Sequence, residues 1–406
     1  MKILMVNKFY YIKGGSETYY FALKRMLESK GHTVIDFSMQ DEKNFESEYS
    51  SSFVSHVDYG SGSGVGAKLK MTKNIIYSSE AKKKFEALVK ETKPDIVHLH
   101  IFQHQISPSI LDVIKKYDIP TVYTAHDLKM ICLNYKMMHH GRICEDCRDG
   151  RLRHCVKNRC VKESAAKSMI NLLEGTLHRI RKSYDAIDKI ITPSDFYRKK
   201  FIEFGVFPDR LAHIPNFLDR EAPSFSERED KGYFLYFGRL SEEKGVLTLI
   251  NAVENLPVRL YVIGTGPLKD ELEGYIKERN ITNVSLLGFK SGEELTELVG
   301  NSRAVVLPSE WYENGPYSAI ESLQLKRPII GADIGGIPEL IDGNGLLFES
   351  GNTEQLRNAV IELDNMDEKT YSDLENASYE LYKREYTPEA HFKRLAEVYG
   401  ELGVKL

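Results

Sequence analysis

The sequence predicts an α/β protein made of two doubly wound, Rossmann-like units, and three observations carry that reading. Short apolar runs alternate with longer helical patterns along most of the 406 residues. The alternation runs once to about Thr192 and starts again at Tyr233. Between the two halves, Asn216 to Lys231 holds Pro223, several serines and mixed charge, and reads as a linker. Strand, helix, strand order makes a parallel sheet covered by helices. Two such units imply a cleft between them, at the carboxyl ends of the strands.

Taken in order, residues 2–7 read as a buried first strand. Gly14 and Gly15 follow, then a helical pattern from Ser16 to Lys30, closed by Gly31 as its cap. Val34–Phe37 reads as the second strand, and residues 41–66, polar and rich in Ser and Gly, as loop. Ile96–His100, Pro120–Thr124 and Ile187–Thr192 are further strands. In the second half, Tyr233–Phe237 is a strand, and Gly238-Arg239-Leu240-Ser241 turns into a helix through Asn255. Arg259–Ile263 is a strand ending in Gly264-Thr265-Gly266-Pro267. Val284–Leu287, Ala304–Leu307 and Pro328–Gly331 complete the set. The expected division is a first domain at 1–217 with a cysteine-rich insert at about 130–165, a linker at 218–231, a second domain at 232–386 and a last helix at 387–406.

Bulk properties exclude several classes. Hydrophobic content of 42% with 28% charged residues is that of a soluble globular chain. A net charge of −4 gives no overall attraction to nucleic acid, so none is expected as a partner. No run of eighteen apolar residues predicts a membrane span. The first eight residues hold too short an apolar stretch for a secretory signal. A cytoplasmic, reducing location follows, where five cysteines are not expected to form structural disulfides.

Residues 308–321, Pro-Ser-Glu-Trp-Tyr-Glu-Asn-Gly-Pro-Tyr-Ser-Ala-Ile-Glu, are the most informative segment. Glu313 and Glu321 stand eight positions apart, which on one helix leaves them roughly 80° out of line. The arrangement makes sense with Glu313 in a loop, a helix opening at Pro316 and Glu321 inside it. The amides of Gly315, Tyr317 and Ser318 then face an anion at a positive helix end. A diphosphate flanked by two carboxylates suits a sugar on one side and a ribose on the other.

This segment resembles the donor-binding signature of retaining glycosyltransferases of family four, also called glycosyl transferases group 1. The resemblance extends over the early Gly14-Gly15 loop, His126 after a strand, Ile214-Pro215-Asn216, Gly238-Arg239 with Lys244-Gly245, the Gly264 loop and Gly335-Gly336-Ile337-Pro338-Glu339. One departure is Lys326, where the family often has Gly. The resemblance implies the GT-B architecture, with a C-terminal helix crossing back to the first domain. It also implies a nucleotide-sugar donor, of UDP or GDP type, and a glycan or lipid-linked acceptor in cell-surface polysaccharide or glycolipid synthesis.

Family roles transfer residue by residue. Glu313 and His126 would contact the donor sugar as the catalytic pair, and Glu321 the ribose hydroxyls. Arg239 and Lys244 would hold the diphosphate, and the Gly14-Gly15 loop would close on the donor phosphates or on the acceptor. Gly264 belongs to the donor loop, and the base would pack by Gly288-Phe289-Lys290. No Asp-x-Asp pair occurs, so cations and a helix end would stabilise the leaving diphosphate, with no cofactor required for catalysis. His98 and His100 alternate on a strand and could line the same cleft. A nucleotide-sugar epimerase and a non-catalytic nucleotide-sugar-binding partner are the rival readings.

Two features lie outside that signature. Cys144, Cys147, Cys155 and Cys160, with Cys132 upstream and His139, His140 and His154 nearby, fit a structural zinc site, and equally plain reduced cysteines or an iron–sulfur or redox arrangement. Residues 148–182 hold ten Lys or Arg against three Asp or Glu, and residues 68–93 eight Lys against three Glu. These are solvated helix faces or a surface for an anionic membrane, which would place the protein peripherally on the inner face of the cytoplasmic membrane.

Overall fold

The computed structural model describes residues 1–56, 72–220 and 230–406. Part of the 41–66 loop, four residues of the 68–93 basic stretch and most of the 218–231 linker lie outside the described residues. The chain divides into two compact units. Unit 1 comprises Met1–His139, Cys144–Ile214 and His391–Leu406; unit 2 comprises His140–Ile143 and Pro215–Ala390.

Unit 1 is built on β1 (Lys2–Val6), β2 (Thr33–Phe37), β3 (Ile96–Leu99) and β4 (Thr121–Thr124). A short hairpin, β5 (Met138–His139) and β6 (Arg142–Ile143), precedes β7 (Lys189–Thr192) and β8 (Leu211–His213). The sheet order is β2-β1-β3-β4-β7-β8, parallel throughout. Such strands are covered on both faces and read as apolar runs, which is why they were legible. The strand β8 was not: three residues ending in an exposed His213 carry no periodicity.

Helix α1 (Gly15–Ser29) begins one residue earlier than expected, taking in Gly15. Gly14 is its N-cap in extended backbone, Lys30 is the C-cap, and Gly31 follows at φ +84°. Gly31 therefore sits just past the cap, where a left-handed residue ends a helix.

The core of unit 1 contains an unusual set of polar rings. His98 and His100 stack at 4.6 Å, and His100 stacks on His126 at 5.4 Å. Alternation on a strand puts His98 and His100 on one face, as period two demands. That face is interior. His98 Nδ1 meets the Tyr399 hydroxyl at 2.8 Å and its Nε2 meets Thr124 Oγ1 at 2.8 Å. His98 is thus a satisfied core residue and does not line a ligand site. Tyr19 and His391 pair at 3.0 Å beside it. Both Tyr399 and His391 come from the last helix, Pro388–Glu401, whose inner face is His391, Leu395, Val398 and Tyr399.

A second helix of unit 1, α2 (Ala165–Ile180), is inside out. Its buried face is polar: Ser168, Asn171, Glu174 and His178. Each is satisfied. Ser168 Oγ accepts the Val161 amide at 3.1 Å and Asn171 Nδ2 donates to the Leu133 carbonyl at 2.9 Å. Glu174 Oε2 takes Lys129 Nζ at 3.0 Å and His104 Nε2 at 3.2 Å. His178 reaches the Ile76 carbonyl at 2.7 Å and Ser183 Oγ at 2.9 Å. Burial pushes the Glu174 carboxyl up, but Lys129 and His104 outweigh it and hold it down at about 2. The apolar residues face out instead, with Met169, Leu173 and Ile180 at 43%, 52% and 76% exposure.

Unit 2 repeats the plan with β9 (Tyr233–Phe237), β10 (Arg259–Ile263), β11 (Val284–Gly288), β12 (Ala304–Leu307), β13 (Ile329–Ala332) and β14 (Gly345–Phe348). Its order is β11-β10-β9-β12-β13-β14, again parallel. The strand β14 escaped the sequence reading because it opens on Gly345 and lies at the edge, half-exposed. The expected helix through Asn255 is shorter: a single 3-10 turn at Glu242–Lys244, then α3 (Val246–Val253). No helix among the described residues is long and apolar enough to cross a membrane.

Acid should destabilise unit 1 through the ring stack. Burial lowers His98 and His126 to about 3 and His100 well below its ordinary value, with neighbouring imidazoles adding to the effect at His98 and His100. The unfolded chain takes up these protons near pH 6.5, the folded one only near 3. Stability is full above 6.5 and falls as pH drops toward 3. Thermal unfolding of wild type should shift down between pH 7 and pH 4, and His98→Gln should flatten that slope; an unchanged slope would remove the stack as its cause.

Candidate functional site

The switch point of unit 2 lies at β9, which has β10 on one side and β12 on the other. Ligands bind outside the carboxyl ends of strands at such a point. Four loops meet there, and their backbones are in contact. Gly264 after β10, at φ +139°, lies so close to Gly238 after β9 that a Cβ would stand 1.8 Å from the Gly238 carbonyl oxygen. Gly335 after β13, at φ +63°, abuts the Glu313 backbone, where a Cβ would meet the amide nitrogen at 2.4 Å. The Gly336 amide then donates to the Glu313 carbonyl at 2.8 Å. The Glu310 amide donates to the Glu243 carbonyl at 2.9 Å, tying the β12 loop to the β9 loop.

This clamping fixes Glu313, which is 5% exposed. Its Oε1 takes Lys244 Nζ at 2.6 Å and the Ser309 hydroxyl at 2.6 Å. The Trp311 indole lies beside the carboxylate and helps to hold it ionised, and Lys244 Nζ sits 5.2 Å from the Trp311 ring centre. Burial pushes the Glu313 carboxyl up; Lys244, Ser309 and Trp311 together hold it below the usual range, so it is ionised. An ionised, buried carboxylate with acceptor capacity left on it is suited to fixing hydroxyl groups.

Glu321 lies where expected, inside helix α4 (Tyr317–Gln324). Its Oε1 meets Arg220 Nη2 at 3.4 Å. Burial raises its pKa and Arg220 opposes the rise. Pro316 is displaced by one position from the expectation. Its ψ of 135° makes it the N-cap, and the helix starts at Tyr317. The fixed φ of proline serves extended backbone as well as helix, and here the Pro316 carbonyl accepts the Ala319 amide at 3.1 Å. Tyr317 and Ser318 form the first turn, with the positive helix end at their amides. Asn216 Nδ2 donates to the Gly315 carbonyl at 2.9 Å and fixes the approach to that turn.

The two expected phosphate cations differ. Lys244 is committed to Glu313, whereas the Arg239 side chain is exposed and makes no hydrogen bond or ion pair among the described residues. Lys290 is paired with Glu294 at 2.5 Å, which weakens its case as a donor contact, while Phe289 beside it is 71% exposed. Unit 2 therefore brings together Lys244, Glu313, Gly264 and the Gly315–Ser318 turn. His126, Gly14 and Gly15 belong to unit 1, where His126 Nε2 meets His100 Nδ1 at 3.1 Å and is held neutral by burial.

Sequence reasoning missed Ser309, Trp311, Asn216 and Arg220. Trp311 is the single tryptophan of the chain and adjoins Glu313, a signal that was available. Asn216 Oδ1 is buried without a partner among the described residues, so a hydrogen-bond donor is wanted there. Nothing local marks Arg220, which lies 101 residues from Glu321 in the sequence. In the insert, the ligand-type atoms that lie within 4.8 Å of one another are those of His139, Cys144 and Asp146, rather than of the four cysteines expected from spacing. The hairpin β5–β6 is responsible, since it returns Cys144 beside His139.

Two family models match this chain. "Glycosyltransferase Family 4" covers residues 13–222, more than half of it, and "Glycosyl transferases group 1" covers residues 219–381. An uncharacterized glycosyltransferase of Methanocaldococcus jannaschii is 24% identical over 405 residues, 99% of either chain. The O-antigen chain mannosyltransferase B of Escherichia coli is 24% identical over 216 residues, 48% of this chain and 56% of that one. Among solved structures, the Anabaena protein HepE in complex with UDP and glucose aligns with a TM-score of 0.66 at 16% identity, covering 99% of this chain and 100% of that one. With two parallel-sheet Rossmann-like units and a clamped carboxylate at the switch point of the second, the chain belongs to Glycosyltransferase Family 4 and is a GT-B glycosyltransferase.

Proposed function

We propose that the enzyme is a retaining, metal-independent hexosyltransferase that uses a UDP- or GDP-sugar and extends a cell-surface polysaccharide or glycolipid. The observation that carries the donor side is Glu313, ionised, buried and clamped by Lys244, Ser309 and Trp311. It accepts hydrogen bonds from the sugar hydroxyls. Arg239, exposed and unpaired, meets the diphosphate, with the amides of the Gly315–Ser318 turn and Lys244 alongside. Glu321 takes the ribose diol, and Gly264 admits the donor backbone-close. The resemblance assigns His126, Gly14 and Gly15 of unit 1 to the donor too. A neutral His126 would act as a hydrogen-bonding group and not as a cation.

In the reaction the bond from the anomeric carbon to the diphosphate oxygen breaks and carries its electron pair to the diphosphate. The acceptor hydroxyl attacks the same face, and its proton passes to the departing phosphate oxygen. Configuration is retained. The cationic side chain and the helix end stabilise the charge that develops on the leaving group.

The acceptor side rests on α2. Met169, Leu173 and Ile180 fall within about 40° of one another around the helix, on the exposed face. Lys167, Arg179 and Lys182 are exposed at the two ends of this helix. Apolar residues seated among cations suit the interface of an anionic bilayer, each cation adding about 1 kcal/mol. A lipid-linked acceptor at that surface fits the O-antigen mannosyltransferase likeness.

Three outcomes are expected. Glu313→Gln should fold with a lowered Tm, because Lys244 loses its carboxylate partner, and lose about a hundredfold or more in turnover, read by release of nucleoside diphosphate; wild-type turnover would remove Glu313 from catalysis. A thermal-shift screen against UDP-, GDP- and ADP-sugars should single out one base, since a ligand at 100 times its Kd adds about 2.7 kcal/mol. Arg239→Ala should abolish that shift, and chelator should leave turnover untouched; turnover lost with chelator and restored by magnesium would contradict the ion-free diphosphate site. Flotation with anionic vesicles should be weakened by salt and lost in Leu173→Glu/Ile180→Glu, whereas binding indifferent to both would take the membrane out of the reading.

A further inference from the structure

The insert between β4 and α2 lacks the means to hold its own shape. Between residues 130 and 165 its buried apolar side chains are few: Ile131, Leu133, Met137, Cys147 and Cys155. Seven of the sixteen left-handed non-glycine residues among the described ones fall between Tyr135 and Glu163. Each such residue costs roughly 1 kcal/mol or more. A segment with so little core and so much strained backbone needs a cross-link.

All five cysteines are free, and all five line one small cavity whose remaining walls are largely apolar, Met137 and Phe204 among them. Their surroundings divide them. Cys132 donates its S–H to Asn134 Oδ1 at 3.1 Å, and Asn134 in turn holds the Met138 carbonyl at 2.7 Å and the Cys160 carbonyl at 3.3 Å. A thiol that spends its proton on an amide oxygen is a buttress. The other four fall within seventeen residues, close enough in the chain to share one ion, and of these Cys144 also shares a hydrogen bond with the Asp146 carboxylate. Backbone amides point at three of the five sulfurs: that of Asp146 at Cys144, that of Cys155 at Cys147, and those of Asn134 and Met137 at Cys132. The Cys155 and Cys160 side chains meet each other. Amides that donate to sulfur stabilise thiolate, the form that binds metal.

We propose that Cys144, Cys147, Cys155 and Cys160 bind one structural zinc ion that cross-links the insert. Tetrahedral zinc with bonds of about 2.3 Å brings the four sulfurs to about 3.8 Å of one another. They are more widely spread than that among the described residues, so binding draws them inward into the cavity. The competing trio, His139, Cys144 and Asp146, is less suited: Asp146 is exposed and already accepts Asn158 Nδ2 at 2.8 Å, and a metal there would leave three cavity thiols without a role. The proposal is independent of the donor chemistry above.

The test is metal analysis of the full chain, grown with zinc and purified without chelator or a nickel column. One zinc per chain is expected in wild type, lost with a lowered Tm in Cys155→Ser/Cys160→Ser and kept in His139→Ala and Asp146→Ala. Cys160→His should retain zinc, because imidazole is a zinc ligand and a poor substitute for a merely packed thiol. Should the double variant fail to fold, titration of wild type with a mercurial decides, with zinc release tracking thiol modification. Metal-free wild type, thiols that react with no zinc released, zinc lost in His139→Ala but kept in the double variant, or iron with acid-labile sulfide would each overturn the assignment.

Discussion

The buried ion pair between Lys244 and Glu313 is the constraint around which unit 2 is organised. A carboxylate 5% exposed is costly to leave without a cation, and breaking such a pair costs about 3–5 kcal/mol. Everything near it works to keep the pair closed. Lys244 ends a 3-10 turn whose Glu243 accepts the Glu310 amide, and the Gly335 backbone fits where no side chain could. In the proposed donor site the pair would also join two functions, because the cation assigned to the diphosphate is the one that keeps the carboxylate assigned to the sugar ionised. Arg239 escapes this coupling and supplies charge without structural duty.

Unit 1 shows a different economy of polar groups. Its interior holds a histidine stack and the polar face of α2, all with partners except His100 Nε2 and Glu174 Oε1. Buried polar networks specify a unique arrangement when satisfied. Here they have a consequence at the surface, since a helix that buries its polar side must expose its apolar one. That inversion, more than the local charge balance, separates α2 from an ordinary solvated helix. The insert follows the same logic in reverse: too little apolar burial, many left-handed residues, and five thiols gathered where a core would be.

Much of this was legible in the chain. Continuous apolar runs such as Tyr233–Phe237 marked the strands because parallel sheets are buried on both faces. Glu313 and Glu321 were placed correctly, one in loop and one in helix, because eight residues cannot align two side chains on one helix face. The edge strands β8 and β14 failed for want of length and of apolar residues. Pro316 failed by one position because its φ is compatible with both sides of a helix boundary.

The sequence by itself determined the two-unit α/β plan, the family, and which carboxylates and cations the proposed donor site would use, since these rest on periodicity, local spacing and motif order. Only the tertiary structure decided which of those groups are coupled. Lys244 finds Glu313 across 69 residues and Arg220 finds Glu321 across 101, His98 is consumed by Tyr399 from the far end of the chain, and α2 turns its apolar face outward. The physical reason is that burial and long-range pairing set ionisation and orientation, and neither is written in the neighbours along the chain.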